Sequence, residues 1–375
     1  MILVTGATGF LGARVVAALR GRGLSVRATA RRADALEAAF AADPQVETAA
    51  MDLARADAGA LAPLLSDVDA VIHCAAAMAG DDAAQAAATV APTRALTEAM
   101  AATMTGEATG AATVPRLVLI SSMSVYGYDA LPAGACLDET VPTEPDPHMR
   151  DAYARAKLAQ EALAIAAAQA SGMEVCLLRP GAIYGPGRTG TARLGIAKKG
   201  VLLMPGGGAT IPAIHVDRCA EAAALAATAP LRGGAQTAWP GDLPMPGGRG
   251  RVEIFNLVDD SPPTQMAWAQ ALTKAGALKK VLRLPGGLLG RTVKLLALTE
   301  LLSPALPRRL PGVLRAPAHA ARFKPLRWSN ARAVDRLGWT PGGDFQADLA
   351  RALSGEGSRP PASPASDASD AQETA

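Results

Sequence analysis

Short apolar runs and longer alanine-rich stretches take turns along the first half of the chain. The runs are "ILVTG" at the start, "SVRATA" from Ser25, "AVIHCAA" from Ala70, "RLVLISS" from Arg116 and "EVCLLRP" from Glu174. Each has the length and β-branched content of a buried strand, and the stretches between them have helical composition. The first predicted helix runs from about Leu11 to Arg22. Strand–helix alternation of this kind builds a parallel sheet covered on both faces.

After Pro180 the rhythm breaks, and glycine and proline become frequent in "GPGRTG", "MPGGG" and "WPGDLPMPGGRG". A helix returns at "HVDRCAEAAALAAT", a strand at "EIFNLV", and an Ala/Leu-rich helical section follows. The fold class read from this pattern is α/β, a Rossmann-type doubly wound parallel sheet with a smaller, mostly C-terminal substrate lobe. The dinucleotide-binding domain takes residues 1–182 plus about 208–230, and the lobe takes 183–207 and 231–353. The tail, 354–375, lacks large apolar residues and is expected to be disordered.

"VTGATGFLG" places Gly6, Gly9 and Gly12 directly after the first strand and at the start of the first helix. Glycines at that spacing allow a tight turn, close approach of backbone amides to a pyrophosphate, and close helix–strand packing. The helix N-terminus then stabilises the phosphate charge. The second strand ends in Arg31 and Arg32, with no acid until Asp34. A guanidinium there suits the 2′-phosphate of NADP, with NAD as the alternative cofactor. Asp52, followed by Leu53, is placed either to accept from an adenine amino group or to serve as a turn residue.

"RLVLISS" ends in two hydroxyls at the edge where such sheets bind ligands. Ser121 and Ser122 are adjacent, so at most one faces the cofactor. Downstream, "DAYARAKLAQE" sets Tyr153 and Lys157 one helical turn apart, on the same side of a helix. A phenol titrates near 10, and bringing it to about 7 takes roughly 4 kcal/mol of preferential stabilisation of the phenolate. An ammonium about 4 Å away supplies about that much at an effective dielectric near 20. Tyr153 then exchanges a proton while hydride moves, and Ser122 holds the substrate oxygen.

Together these segments resemble the short-chain dehydrogenase/reductases, in the extended branch called the NAD-dependent epimerase/dehydratase family. The resemblance covers about residues 1–345 and rests on "TGATGFLG", "HCAA", "SSMSVYG", "YARAK", "LRPGAIYGPG", "IHVDR" and "WSNARAVDRLGWTP". It implies that Gly6, Gly9, Gly12 and the backbone around Phe10 and Leu11 hold the pyrophosphate, and that Ala75 and Ala76 line the adenosine side. It also implies Ser122 as the catalytic serine, Tyr153 as acid/base and Lys157 as its partner, also touching the ribose. Pro180 and Gly181 would shape the nicotinamide pocket. Many members carry a relay asparagine where this chain has Thr89, and the dihydroflavonol-reductase-like branch tolerates threonine there.

Members acting on nucleotide sugars usually carry an arginine-aspartate-aromatic run before "HVD"; here Ile211, Pro212 and Ala213 stand in its place. The expected pocket is therefore poor in charge and suits an apolar, sterol- or flavonol-like substrate, covered by the Leu-rich section Leu278–Leu302. This is the pattern of the 3β-hydroxysteroid-dehydrogenase-like members. Arg193, Lys198 and Lys199 argue for a phosphate instead. The reading is an oxidoreductase interconverting a secondary alcohol and a ketone. Its rivals are a nucleotide-sugar epimerase or dehydratase, and an NADP(H)-sensing regulator without turnover.

Bulk composition changes little. Of 375 residues, 50% are apolar and 19% charged, with a net charge of +3. That balance, with scattered arginines, excludes a nucleic-acid partner. Cys74, Cys136, Cys176 and Cys219 lie far apart and read as small buried hydrophobes of a reducing compartment, and the histidines lack metal-ligand spacing. Met1 leads straight into "MILVTG", which leaves no room for a cleaved signal peptide, and no eighteen residues are apolar enough to span a bilayer. The expected location is the cytoplasm. Residues 284–302 are interrupted by Arg291, Lys294 and Glu300. They leave a weak peripheral membrane contact and a homodimer as open expectations beside packing on the domain itself.

Overall fold

The β-branched runs become strands, in register with one another. The computed structural model describes residues 1–105, 115–230, 251–297 and 314–355. In it β1 (Ile2–Thr5), β2 (Val26–Ala30), β3 (Val46–Ala50), β4 (Ala70–His73) and β5 (Arg116–Ile120) alternate with helices. These are α1 (Gly12–Arg20), α2 (Ala33–Phe40), α3 (Ala58–Leu65) and a long fourth connection. That connection runs through α4 (Asp82–Gln85), a π-helical turn (Ala86–Val90) and α5 (Ala91–Thr105). Then come β6 (Cys136–Leu137), α6 (Ala152–Ser171) and β7 (Glu174–Pro180). The next stretch holds β8 (Ala182–Tyr184), β9 (Ile196–Lys198), β10 (Val201–Pro205), β11 (Ala213–His215), α7 (Val216–Thr228) and β12 (Arg251–Leu257).

Seven of these strands form one sheet in the order β12-β7-β5-β4-β1-β2-β3, and every neighbouring pair is parallel. The chain leaves β1 in one direction for β2 and β3, then returns to lay β4 on its other side. The switch point between β1 and β4 opens a crevice at the carboxyl ends of the strands. Coverage of both faces explains why the central strands are largely apolar. Val4, Ile72, Val118 and Leu178 pack on one face, while Leu3, Val71, Leu117 and Leu177 pack on the other. This is a Rossmann-type α/β fold.

Helix ends follow local chemistry. Helix α1 stops two residues short of Arg22, where Gly21 and the left-handed Gly23 (φ +73°) turn the chain back toward β2. Asp151 caps α6 by accepting from the Ala154 amide at 3.0 Å, and left-handed Gly172 ends it.

The irregular second half adds α8 (Gln265–Lys274), β13 (Lys280–Leu284) and α9 (Gly286–Ala297). A three-stranded sheet, β13-β10-β9, lies beside a cluster of Tyr184, Trp268 and Phe345, whose ring centroids are 4.8–5.6 Å apart. In α9, Val293 is buried while Leu295 is 68% exposed. The expected tail beyond Gly355, residues 231–250 of the lobe and Glu300 lie outside the described residues. Among the described residues no helix is long and apolar enough to cross a membrane. All four cysteines are free. The expectation that they are buried holds for Cys176 and Cys219, holds only in part for half-buried Cys74, and fails at Cys136, which is exposed on β6.

Candidate active site

The crevice at the switch point is a cavity of about 810 Å³. One wall is the turn between β1 and α1. Gly6 sits at φ +65° with the Ala75 backbone so close that an added Cβ would lie 2.9 Å from its Cα. A Cβ on Gly12 would overlap the Gly6 carbonyl oxygen. No side chain caps the α1 N-terminus, and no acid stands in its first turn. A main-chain cradle free of side chains and of negative charge fits a dinucleotide pyrophosphate. Gly6, Gly9, Phe10, Leu11 and Gly12 all line the cavity, with Ala76 at its edge.

The facing wall carries the side chains. The two serines at the end of β5 have separate fates. Ser121 also lines the cavity, but its hydroxyl turns inward and donates to Glu161 Oε1 at 2.5 Å, within a buried ion pair between Glu161 and Arg179 of β7 at 2.6 Å. Ser122 faces the cavity, accepts from the Ser124 amide at 3.1 Å, and lies beside the Tyr153 phenol, whose pKa it lowers. Tyr153 and Lys157 line the same cavity, as do Pro180 and Gly181.

The electrostatics differ from the expectation of an acidified phenol. Burial raises the Tyr153 pKa; the neighbouring Ser122 hydroxyl and Arg188 offset part of that rise, and the Asp151 carboxylate adds to it. Lys157 is directed elsewhere. Its Nζ donates to the Ile120 carbonyl and to Gln160 Oε1, both at 2.8 Å, and lies 5.9 Å from the Tyr153 ring centroid. Lys157 is not among the groups that shift the phenol, and desolvation of the phenolate is the largest influence on it. Burial likewise lowers the Lys157 ammonium to about 8.

Several expected residues stand off the cavity. Ala75 packs behind Gly6 and does not line it. Arg31 is exposed at the end of β2, and Arg32 is engaged by Asp34. Asp52 accepts from the Ala54 amide at 3.2 Å and faces Arg55 at 3.6 Å, as a turn residue does; Leu53 beside it is buried. Thr89 is fully buried, its hydroxyl accepting from the Ala77 amide at 2.9 Å and bonded to Gln85 at 3.0 Å. Ile211 and Ala213 belong to the Tyr184 cluster, and the Pro212 carbonyl is spent on the Ala182 amide at 2.6 Å. Lys198 and Lys199 are exposed at the β9–β10 turn.

Other residues form the cavity wall that had been assigned to the Leu-rich section. No described residue of 278–297 lines it; Ala318, Ala321 and Arg322 of the helix Ala316–Phe323 do. Nor is the lining poor in charge. Arg150, Arg188, Arg193 and Arg322 all line it, against the carboxylate of Asp151. Arg322 pairs with that carboxylate at 2.8 Å. Arg188 follows a tight Pro186–Gly187 turn closed by two 2.9 Å bonds to Gly185. That turn lays its guanidinium 4.6 Å from the Phe10 ring centroid. Arg193 bonds neutral partners, the Ala321 carbonyl and the Tyr128 hydroxyl. The "GPGR" turn was visible in the sequence, but nothing local said that it folds back onto the glycine turn.

The model of the NAD dependent epimerase/dehydratase family matches residues 2–239. The chain belongs to this family. Among curated members, a 3 beta-hydroxysteroid dehydrogenase/Delta 5-->4-isomerase of Mycobacterium tuberculosis is 33% identical over 186 residues, 50% of this chain and 48% of that protein. A dTDP-4-dehydro-6-deoxy-D-allose reductase of a Streptomyces species is 30% identical over 189 residues, 50% of this chain and 56% of that protein. The chain thus spans about half the length of the curated relatives it matches. Among solved structures, the Thermus thermophilus UDP-glucose 4-epimerase with NAD aligns at TM-score 0.63 and 20% identity, covering 95% of this chain and 98% of that one. A dTDP-glucose 4,6-dehydratase of Streptomyces venezuelae with NAD bound aligns at 0.64 and 20%, covering 95% and 96%. At that identity the likeness carries the family's fold.

Proposed function

We propose that this family member is an NADP(H)-dependent oxidoreductase that interconverts a secondary alcohol and a ketone. The observation that carries the reading is that Ser122, Tyr153 and, one helical turn along, Lys157 line the same cavity as the glycine turn. A nicotinamide bound along that turn supplies or accepts the hydride. Tyr153 exchanges the proton with the substrate oxygen, which Ser122 orients. Gly6, Gly9 and Gly12 with the main chain at Phe10 and Leu11 hold the pyrophosphate, and Pro180 and Gly181 bound the nicotinamide. Ala76 bounds the adenosine side, and Arg31 takes the 2′-phosphate.

Met78, Met123 and Ile183 in the lining suit an apolar substrate skeleton, and the mycobacterial relative's name points to a steroid. A second reading, turnover of a nucleotide sugar, is favoured by Arg188 and Arg193, because two guanidiniums without a carboxylate partner among the described residues suit a diphosphate.

Oxidation of NADPH in the presence of sterol-like ketones, against a parallel set of UDP- and dTDP-sugars, tests both. Ketone-dependent consumption of NADPH supports the first reading. Redox-neutral conversion of a nucleotide sugar replaces it with the second. Tight NADPH binding with no turnover of either set overturns both.

A further inference from the structure

The ammonium of Lys157 is held from inside the fold by a column of uncharged side chains. Gln160, one turn further along α6 and fully buried, accepts from Nζ through Oε1 at 2.8 Å. Its Nε2 donates to Thr93 Oγ1 at 2.6 Å and lies 3.4 Å from the Thr89 carbonyl. Thr93 in turn donates to that carbonyl at 2.8 Å, and its Oγ1 lies 3.0 Å from His73 Nε2. On the far side of the imidazole, Nδ1 lies 2.7 Å from Thr5 Oγ1.

With the Thr93 hydroxyl donating to the Thr89 carbonyl, the rest of the protons in this column follow. The single hydroxyl proton of Thr93 goes to Thr89, so Gln160 Nε2 and His73 Nε2 both donate to the Thr93 oxygen. The Thr5 hydroxyl then donates to His73 Nδ1. A flipped Gln160 amide would set its NH₂ group against the ammonium, so Thr93 fixes which end of the amide Lys157 meets. His73 stays neutral, because burial lowers its pKa to about 3 with help from the Lys157 charge. Thr5, Thr93 and Gln160 are fully buried, and His73 is 1% exposed.

We propose that Gln160 is the positioning residue of Lys157, fixing the place and charge of its ammonium through a carboxamide anchored on Thr93. The Thr89 hydroxyl cannot do this, since it is spent on Ala77 and Gln85. A neutral carboxamide holds a cation without taking its proton, and the column ends on enclosed groups. Lys157 therefore exchanges its proton on the cavity side. Its other charged or titratable surroundings are Cys74 beside β4, Tyr153, and Glu161, which Arg179 neutralises. The inference rests on the oxidoreductase reading for its use in turnover.

The test is the titration of Lys157 in the full chain labelled with ¹³C at lysine Cε, where eight lysines give eight signals. Gln160→Glu places a carboxylate against the ammonium and is expected to raise the Lys157 midpoint by about one unit or more. Gln160→Leu removes the acceptor and lowers the midpoint by about one unit, and Thr93→Val lowers it by less. The alkaline limb of kcat moves with each midpoint. A role in packing alone would shift melting temperature and leave the midpoints in place. Midpoints that stay put, or that move in one direction for both Gln160 variants, overturn the assignment; if neither variant folds, an unchanged midpoint in Thr93→Val does so. Shifted midpoints in a protein that turns over no ketone would refute the oxidoreductase reading and leave the assignment of Gln160 standing.

Discussion

The two walls of the cavity are built from different material. At β1–α1 the wall is main chain, defined by where a Cβ cannot go: Gly12 would strike the Gly6 carbonyl, and Gly6 lies against Ala75. The facing wall is side chain, assembled from the end of β5, the first turn of α6, the loop bearing Arg188 and Arg193, and the helix Ala316–Phe323. A main-chain wall is fixed by local spacing and serves whatever phosphate the cofactor brings. A side-chain wall depends on segments far apart in sequence meeting in space, and it is where the proposed proton chemistry would sit.

The largest effect is expected where that division is sharpest. Tyr153→Phe should lower kcat by about 10²–10⁴-fold while cofactor affinity and melting temperature hold, because the phenol oxygen contributes chemistry and not packing. Ser122→Ala should follow at roughly 10²-fold, whereas Ser121→Ala should leave kcat about unchanged, since Ser121 serves the Glu161–Arg179 pair. Steady-state turnover of a ketone with NADPH reads all three. Equal losses from the two serines would mean that the walls are not separable at β5.

The contrast also explains what was legible in the sequence. The strands, the glycine turn and the Tyr153–Lys157 pair are encoded by spacing of two, three or four residues, which the backbone enforces locally. Strand spacing left Ser121 and Ser122 open and the family resemblance pointed to Ser122; what occupies the Ser121 hydroxyl is Glu161, forty residues downstream. The raised phenol pKa needed the burial around Tyr153 and the engagement of Lys157 by Gln160. That the helix Ala316–Phe323, and not Leu278–Ala297, covers the cavity is a matter of packing that apolar content alone does not rank. "APAHAARF" is as plausible a surface helix as any in the chain.

A smaller effect separates stability from activity at Lys157. Burial lowers its ammonium from 10.5 to about 8, so activity that needs the charge should fall as pH rises through about 8. Stability carries the opposite sign. Between about 8 and 10.5 the unfolded chain binds the proton that the folded one has lost, so this residue's contribution to stability rises with pH across that window, by roughly 3 kcal/mol in all. Unfolding free energies across the window, beside kcat at each pH, check both signs; parallel trends would remove Lys157 as their common origin. On the main-chain wall, Gly12→Ala should cost about 1–3 kcal/mol in urea unfolding and weaken NADPH and NADH alike. Normal stability and binding there would show that the turn has room to spare.

The smallest effect falls at the margin of the main-chain wall, where the proposed function has Arg31 choose between cofactors. Arg31 is exposed at the end of β2 and has no ionic partner among the described residues, whereas Arg32 bonds Asp34, whose carboxyl that bond holds below its usual range. The two neighbours should therefore separate on substitution. Arg31→Ala should weaken NADPH about tenfold and leave NADH unchanged, the loss of one charge-assisted contact to a phosphate in high-dielectric surroundings. Arg32→Ala should change neither, because its guanidinium is already committed to Asp34. Fluorescence titrations of reduced cofactor at two salt concentrations read the difference, and the Arg31 effect should shrink at the higher salt. A wild-type protein that binds NADH more tightly than NADPH would give the adenosine end to NAD. Arg31 would then be a solvated surface residue, and the main-chain wall would hold its cofactor without help from any side chain at β2.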